Sequence, residues 1–212
     1  MDADYWHRKW SRGEIGFHQS DYNPLMTKYF GDLGLRDGAH VFVPLCGKTR
    51  DIGWLLQQGY RVTGAELNQG AVEALFDDLA LSPVITQDGA LLRFATPELI
   101  VFVGDIFDVS AHALGAVDAI YDRAALVALP ADIRARYAGH LVKITEQAPQ
   151  FLLTFTYDQS KIDGPPFAIP ADAVLDLYDQ HYALKLLEER AVPGGLKGLT
   201  DVQDSAWRLI PL

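Results

Sequence analysis

The chain has a single cysteine, Cys46, among 212 residues. That excludes an intramolecular disulfide and any zinc site built from several cysteines. The six histidines (His7, His18, His40, His112, His140 and His181) are scattered, with no HExxH pair to place two of them on one helix face, so no metal is expected. Basic residues are few: 18 Lys and Arg stand against 28 Asp and Glu, a formal net charge of −10. A nucleic-acid backbone is gripped through a basic face, so no nucleic-acid partner is expected. There is no run of eighteen apolar residues, and the opening MDADYWHRKW lacks the apolar stretch of a signal peptide. Repeats, low-complexity tracts and Pro/Ser-rich linkers are also missing. The expectation is one soluble, cytoplasmic domain over residues 1–212, away from membranes. Nothing in the pattern asks for a protein partner, so a monomer is expected.

What is present is alternation. Nearly half the residues are apolar, enough for a sizeable core. AHVFVPL (39–45), RVTGAEL (61–67), LIVFVGDIFD (99–108), AVDAIYD (116–122) and FLLTFTY (151–157) read as short apolar strands. Helical patterns fall between them at 50–58, 71–81 and 131–144, and a further helix is expected at 173–182. Segment 84–96 reads as an irregular hairpin arm. The last two strands, 184–190 and 205–212, lack a clear helix between them, which suggests an antiparallel addition at one edge. This order predicts a mostly parallel sheet covered on both faces, an α/β architecture. Such sheets bind ligands beyond the carboxyl ends of their strands. The residues to weigh are therefore Leu45 to Thr49, Glu66, Asp105 and Ile106, and Asp122-Arg123.

VFVPLCGKTRD (41–51) resembles a phosphate loop at first sight. A Walker A loop needs a glycine five residues before the GK pair, and that position is Phe42, inside the strand. GxGxxG is absent too, because Gly47 has no glycine partner in the turn. The rest of a nucleoside site remains. Glu66 lies 19 residues after Gly47, at a strand end where an acid accepts ribose hydroxyls, although a solvated loop carboxylate is its plainer role. Asp105 follows the third strand, where it could meet an adenine edge or cap the next helix. A ribose and base without a pyrophosphate turn fit S-adenosylmethionine, whose methionine tail carries no phosphate.

DYWHRKW…GFHQ (4–19), VFVPLCGKTRDIGWLLQQGYRVTGAEL (41–67), GDIFD (104–108), DAIYDRAALVALP (118–130) and LLTFTYDQ…GPPF (152–167) together resemble the thiopurine S-methyltransferase family in its bacterial form. The resemblance covers about residues 4 to 170. It implies the class I methyltransferase fold, a Rossmann-like sandwich whose seven-stranded, mostly parallel sheet has one antiparallel strand. It also implies an S-adenosyl-L-methionine-dependent S-methyltransferase of small aromatic or heterocyclic thiols, with selenium and tellurium compounds as open alternatives. On matching positions, Trp10, Leu45, Glu66 and Arg123 would contact the cofactor, and Asp105 and Ile106 would lie near its adenine. Trp6 and Phe17 fall in an N-terminal helical segment (1–35) that closes over the cofactor in the family. The chain departs from the family pattern after about Glu188. Where relatives carry an Arg-rich stretch with a substrate-binding residue, it reads RAVPGGLKGLTDVQDSAW, with Lys197 as the nearest basic candidate.

Methyl transfer from a sulfonium is an in-line displacement that depends on positioning, so no metal and no covalent intermediate are expected. Alignment of the reactants can remove roughly 7–11 kcal/mol of barrier. Arg123 could hold cofactor or an anionic acceptor. Trp6, Trp10 and Phe17 could stack on the nucleoside and attract its cationic sulfur, or pack a helix onto the core. Phe17, His18, Pro166 and Lys197 are the candidates for the acceptor side, Pro166 as part of a rigid GPPF turn. No histidine is placed by sequence to activate Cys46, which reads as a small buried residue. A non-catalytic S-adenosylmethionine-binding module and an NAD(P)-dependent oxidoreductase are the alternative readings.

Overall fold

A computed structural model describes residues 3–16 and 18–212. In chain order the regular elements begin with α1 (Ala3–Ser11), α2 (Pro24–Tyr29), β1 (His40–Pro44), α3 (Asp51–Gln57), β2 (Arg61–Glu66) and α4 (Gln69–Asp78). They continue with β3 (Val84–Asp88), β4 (Leu91–Ala95), β5 (Leu99–Val103), α5 (Ala111–Leu114), β6 (Ala119–Asp122) and α6 (Ala131–Ile144). β7 (Gln150–Thr156), α7 (Ala171–Tyr178), β8 (Tyr182–Ala191) and β9 (Gln203–Pro211) complete the chain.

The strands form one sheet in the order β3-β4-β5-β2-β1-β6-β7-β9-β8. Five neighbours, β5, β2, β1, β6 and β7, are parallel, and β9 runs antiparallel between β7 and β8. The seven-stranded core expected from the resemblance is therefore present. The sheet is widened to nine by the β3–β4 hairpin, whose second strand pairs antiparallel with β5. Residues 84–96 are thus a regular hairpin and not an irregular arm. Their weak sequence signal has a physical cause: β3 is an edge strand with all five residues exposed, so no face of it needed an apolar pattern.

Alternation along the central strands divides the core between the two faces. Val41, Val43 and Tyr121 pack with Phe30, Ile52, Leu55, Val72 and Leu75 on the side of α2, α3 and α4. Phe42, Ile120 and Leu152 pack with Tyr137, Leu141, Val174 and Tyr178 on the side of α6 and α7. Strands buried on both faces read as continuous apolar runs, which is why β1, β5 and β6 were legible without any period-two pattern. Helix starts are set by side chains: Asn23 accepts the N–H groups of Leu25 and Met26 ahead of Pro24, and Asn68 accepts that of Ala71. Because β1, β2, β6 and β7 run parallel, the turns that follow them gather along one edge of the sheet. No helix among the described residues is long and apolar enough to cross a membrane.

Candidate active site

A cavity of about 660 Å³ opens along that edge. Its floor comes from Leu45 to Thr49 after β1, Glu66 and Leu67 at the end of β2, Arg123 and Ala124 after β6, and Thr154 and Phe155 in β7. Arg190 near the end of β8 and Asp204 near the start of β9 close the far end. β2 and β8 are five strand positions apart, and at about 4.8 Å per strand the site crosses some ~24 Å of sheet. The size is ordinary for a small-molecule site and the length leaves room for two ligands side by side.

The near end is built around Glu66, which is only 7% exposed. One carboxylate oxygen accepts the Gly47 N–H at 2.8 Å, and the other accepts the Asn68 N–H at 2.8 Å. Burial raises the carboxyl above its ordinary value, and those backbone bonds pull it back down. A carboxylate has about four acceptor sites, so capacity remains for hydroxyl donors from a ligand. The Gly47 N–H is therefore committed to Glu66 and not held open for a phosphate. Lys48, the conspicuous cation of the GKT sequence, pairs with Asp78 at 3.1 Å. Both facts remove the phosphate-loop reading. The turn itself needs unusual backbone: Leu45 has φ 47° and Gly47 φ 52°. An L side chain seldom takes that conformation, and Leu45 is held in it beside the cavity.

Arg123 follows β6 with its side chain mostly covered. Its Nη1 donates to Thr49 Oγ1 at 3.4 Å and lies 3.7 Å from Asp51 Oδ2. The adjoining Asp122 is fully buried and anchors the loop: its carboxylate accepts the Leu126 N–H at 3.0 Å and the Tyr137 hydroxyl at 2.8 Å. Burial pushes its carboxyl up to about 6. Cys46 is buried, and burial first, then the nearby Glu66 charge, raises its thiol well above the ordinary value. It is not an activated nucleophile. His18 lines the cavity, and burial followed by the Lys48 charge lowers its pKa, so its imidazole is neutral at pH 7.

The wall opposite the sheet is α1. None of its residues is fully buried, yet Tyr5, Trp6, Lys9 and Trp10 line the cavity. The helix is tied to the start of α4 by a contact of 3.1 Å between the His7 ring and the side-chain amide of Asn68. Trp6 and Trp10 thus face the cavity and not the core. Phe17 lies outside the described residues. Pro166 and Lys197 also line the cavity, and the Lys197 ammonium donates to the Pro165 carbonyl at 2.6 Å. Asp105 and Ile106 do not line it. The Asp105 carboxylate accepts the Phe107 N–H at 3.0 Å, its capping role, and Ile106 packs in the core.

Arg190 is the cation that sequence reading missed. It makes a two-pronged contact with Asp204, Nε to Oδ1 at 3.0 Å and Nη2 to Oδ2 at 3.1 Å. The two residues are opposite one another in the β8–β9 register, 14 positions apart in sequence. Only the strand pairing brings them together, and a bulge between Leu186 and Glu188 shifts the register on the way. The loop between them is tightly folded: a Cβ on Gly195, at φ +73°, would lie 1.9 Å from the Leu199 carbonyl oxygen.

The fold is shared with solved methyltransferases. It resembles Burkholderia thailandensis 1,6-didemethyltoxoflavin-N1-methyltransferase, a structure with bound S-adenosylhomocysteine, with a TM-score of 0.67 at 15% identity over 98% of this chain and 86% of that one. A TehB-like SAM-dependent methyltransferase from Corynebacterium glutamicum gives a TM-score of 0.58 at 14% identity, covering 99% and 98%. Sheet order and strand-end cavity are those of the class I methyltransferase fold. The thiopurine S-methyltransferase family model matches residues 1–207. The thiopurine S-methyltransferase of Xanthobacter autotrophicus is 50% identical over 210 residues, 99% of both chains, and that of Gluconobacter oxydans 47% identical over 211 residues, 100% of this chain and 96% of the other. The chain belongs to the thiopurine S-methyltransferase family.

Proposed function

We propose that this protein transfers a methyl group from S-adenosylmethionine to the sulfur of a small aromatic or heterocyclic thiol, and that selenium and tellurium analogues are further acceptors. The observation that carries this reading is one continuous cavity running from Glu66 to the Arg190–Asp204 pair. It holds a buried acid with spare acceptor capacity at one end, the Arg190 guanidinium and Phe155 at the other, and Tyr5, Trp6 and Trp10 of α1 along its wall. Once bound, the cofactor supplies an electrophilic methyl on a sulfonium centre.

The chain's own residues do the rest. Glu66 accepts ribose hydroxyls, and Leu45 and Cys46 shape the turn beside the methionine tail. The faces of Trp6 and Trp10 attract positive charge while α1 keeps water out. Arg123 binds carboxylate or stabilises an anionic acceptor. At the far end Phe155, Pro166 and Lys197 surround the acceptor ring, and Arg190, steered by Asp204, favours its thiolate form. His18, neutral at pH 7, can take the proton of a thiol that arrives protonated. The test is a methyl-transfer screen of thiols, selenols and tellurium compounds, with the methylated product detected by mass spectrometry. Tight binding of S-adenosylhomocysteine without methylation of any acceptor would instead favour a non-catalytic binding module.

A further inference from the structure

Asp51 is 1% exposed, and it is not among the residues that line the cavity. A carboxylate buried this deeply requires partners, and they come from separate segments. One oxygen accepts the backbone N–H of Asn23 at 2.8 Å. The other accepts the Tyr121 hydroxyl at 2.8 Å and lies 3.7 Å from Nη1 of Arg123. Thr49 Oγ1 accepts both the Asp51 N–H at 3.3 Å and the Arg123 guanidinium at 3.4 Å. Asn23, Thr49 and Arg123 all line the cavity. Asn23 is also the residue whose side chain starts α2, where the N-terminal segment enters the core.

One buried carboxylate therefore joins the entry point of the N-terminal segment to the cation at the end of β6. A neutral side chain could still accept the Asn23 N–H, but it would exert no comparable pull on the guanidinium. We propose that Asp51 is a positioning residue for methyl transfer. It fixes the Arg123 guanidinium and, through the Asn23 N–H, couples the seating of the N-terminal segment to occupancy of the cavity. This rests on the reading of the cavity as the donor and acceptor site.

The test compares wild type, Asp51→Asn, Arg123→Gln and the double variant in methyl-transfer kinetics with an aromatic thiol. Asp51→Asn is expected to lower kcat/KM at least about tenfold alone and less than about threefold in the Arg123→Gln background, because neighbours that act together are not additive. An unchanged kcat/KM in Asp51→Asn, or fold losses that multiply in the double variant, would overturn the proposal. Because Asp51→Asn could fail to fold, a second arm leaves Asp51 intact. Amide hydrogen exchange at Asn23 is followed in wild type and Arg123→Gln, each with and without saturating S-adenosylhomocysteine. Saturation is expected to slow that exchange at least about fivefold in wild type and little in Arg123→Gln. Equal protection in both proteins would overturn the coupling. Wild type that binds no S-adenosylhomocysteine would overturn the donor reading and this proposal with it, whereas wild type that binds and transfers without dependence on Asp51 would overturn this proposal alone.

Discussion

The Glu66 carboxylate and the Gly47 N–H meet at 2.8 Å, so the end of β2 is tied to the turn after β1. That bond shapes the turn, and in the proposed reading the same buried carboxylate also accepts the hydroxyls of a ligand. Glu66→Ala removes both and leaves the Gly47 and Asn68 N–H groups without their partner, at about 1–3 kcal/mol each where water cannot replace it. The affinity for S-adenosylhomocysteine, measured by calorimetry, is expected to fall at least about tenfold. Unchanged affinity in a folded Glu66→Ala protein would remove Glu66 from the donor site.

Asp122 sets a pH dependence of stability. Its carboxyl stands at about 6 in the folded protein, against an ordinary value of 3.8, because burial disfavours its charge. A raised folded-state value means that its contribution is fully present below about pH 3.8 and is lost as pH rises through 6. The difference amounts to about 3 kcal/mol. Asp122→Asn removes this titration. Compared with wild type, it is therefore expected to gain stability between pH 4 and pH 7.5 in urea unfolding. A wild-type–variant difference that does not change with pH would show that Asp122 titrates normally.

In the proposed reading Arg190 and Asp204 act at the acceptor end, on β8 and β9, five and four strands from Glu66. Arg190→Ala is expected to raise KM for the thiol about tenfold and to change KM for S-adenosylmethionine less than about threefold. Asp204→Asn, which leaves the guanidinium but loosens its orientation, is expected to show a smaller effect of the same kind. Steady-state kinetics with each substrate varied in turn separates the two ends of the cavity. Equal effects on both KM values would place Arg190 outside the acceptor site.

Cys46 is a packing residue of the cofactor turn. Its sulfur would lie 2.8 Å from a Cβ placed on Gly64, so the thiol packs directly against the bare glycine of β2. Cys46→Ala is expected to cost about 1–2 kcal/mol of stability and to keep kcat within about threefold of wild type. Loss of turnover without loss of fold would restore a chemical role to the thiol.

Much of the sheet was legible because parallel strands covered on both faces leave continuous apolar runs, as in VFV of β1 and LIVFV of β5. The near end of the site was legible for a related reason: its residues follow directly on those strands, so Leu45, Glu66 and Arg123 are fixed by strand order. The far end was not. Arg190 meets Asp204 only through the β8–β9 register and its bulge, and no local pattern states a register. Lys197, the basic residue singled out from that stretch, reaches the cavity rim but donates to the Pro165 carbonyl. Asp51 was hidden differently. Its partners, Asn23, Tyr121 and Arg123, lie between 28 and 72 positions away, and a buried acid one residue past GKTR looks like an ordinary first-turn carboxylate.

Methyl transfer to sulfur is expected to take place in one cavity that holds donor and acceptor together. The most direct measurement incubates the purified protein with S-adenosylmethionine carrying an isotope-labelled methyl group and an aromatic thiol, and follows the label by mass spectrometry. The expected result is labelled aryl methyl thioether formed in step with S-adenosylhomocysteine, at a rate that Glu66→Ala and Arg190→Ala each reduce. Binding of S-adenosylmethionine with no label transferred to any thiol, selenol or tellurium acceptor would contradict it.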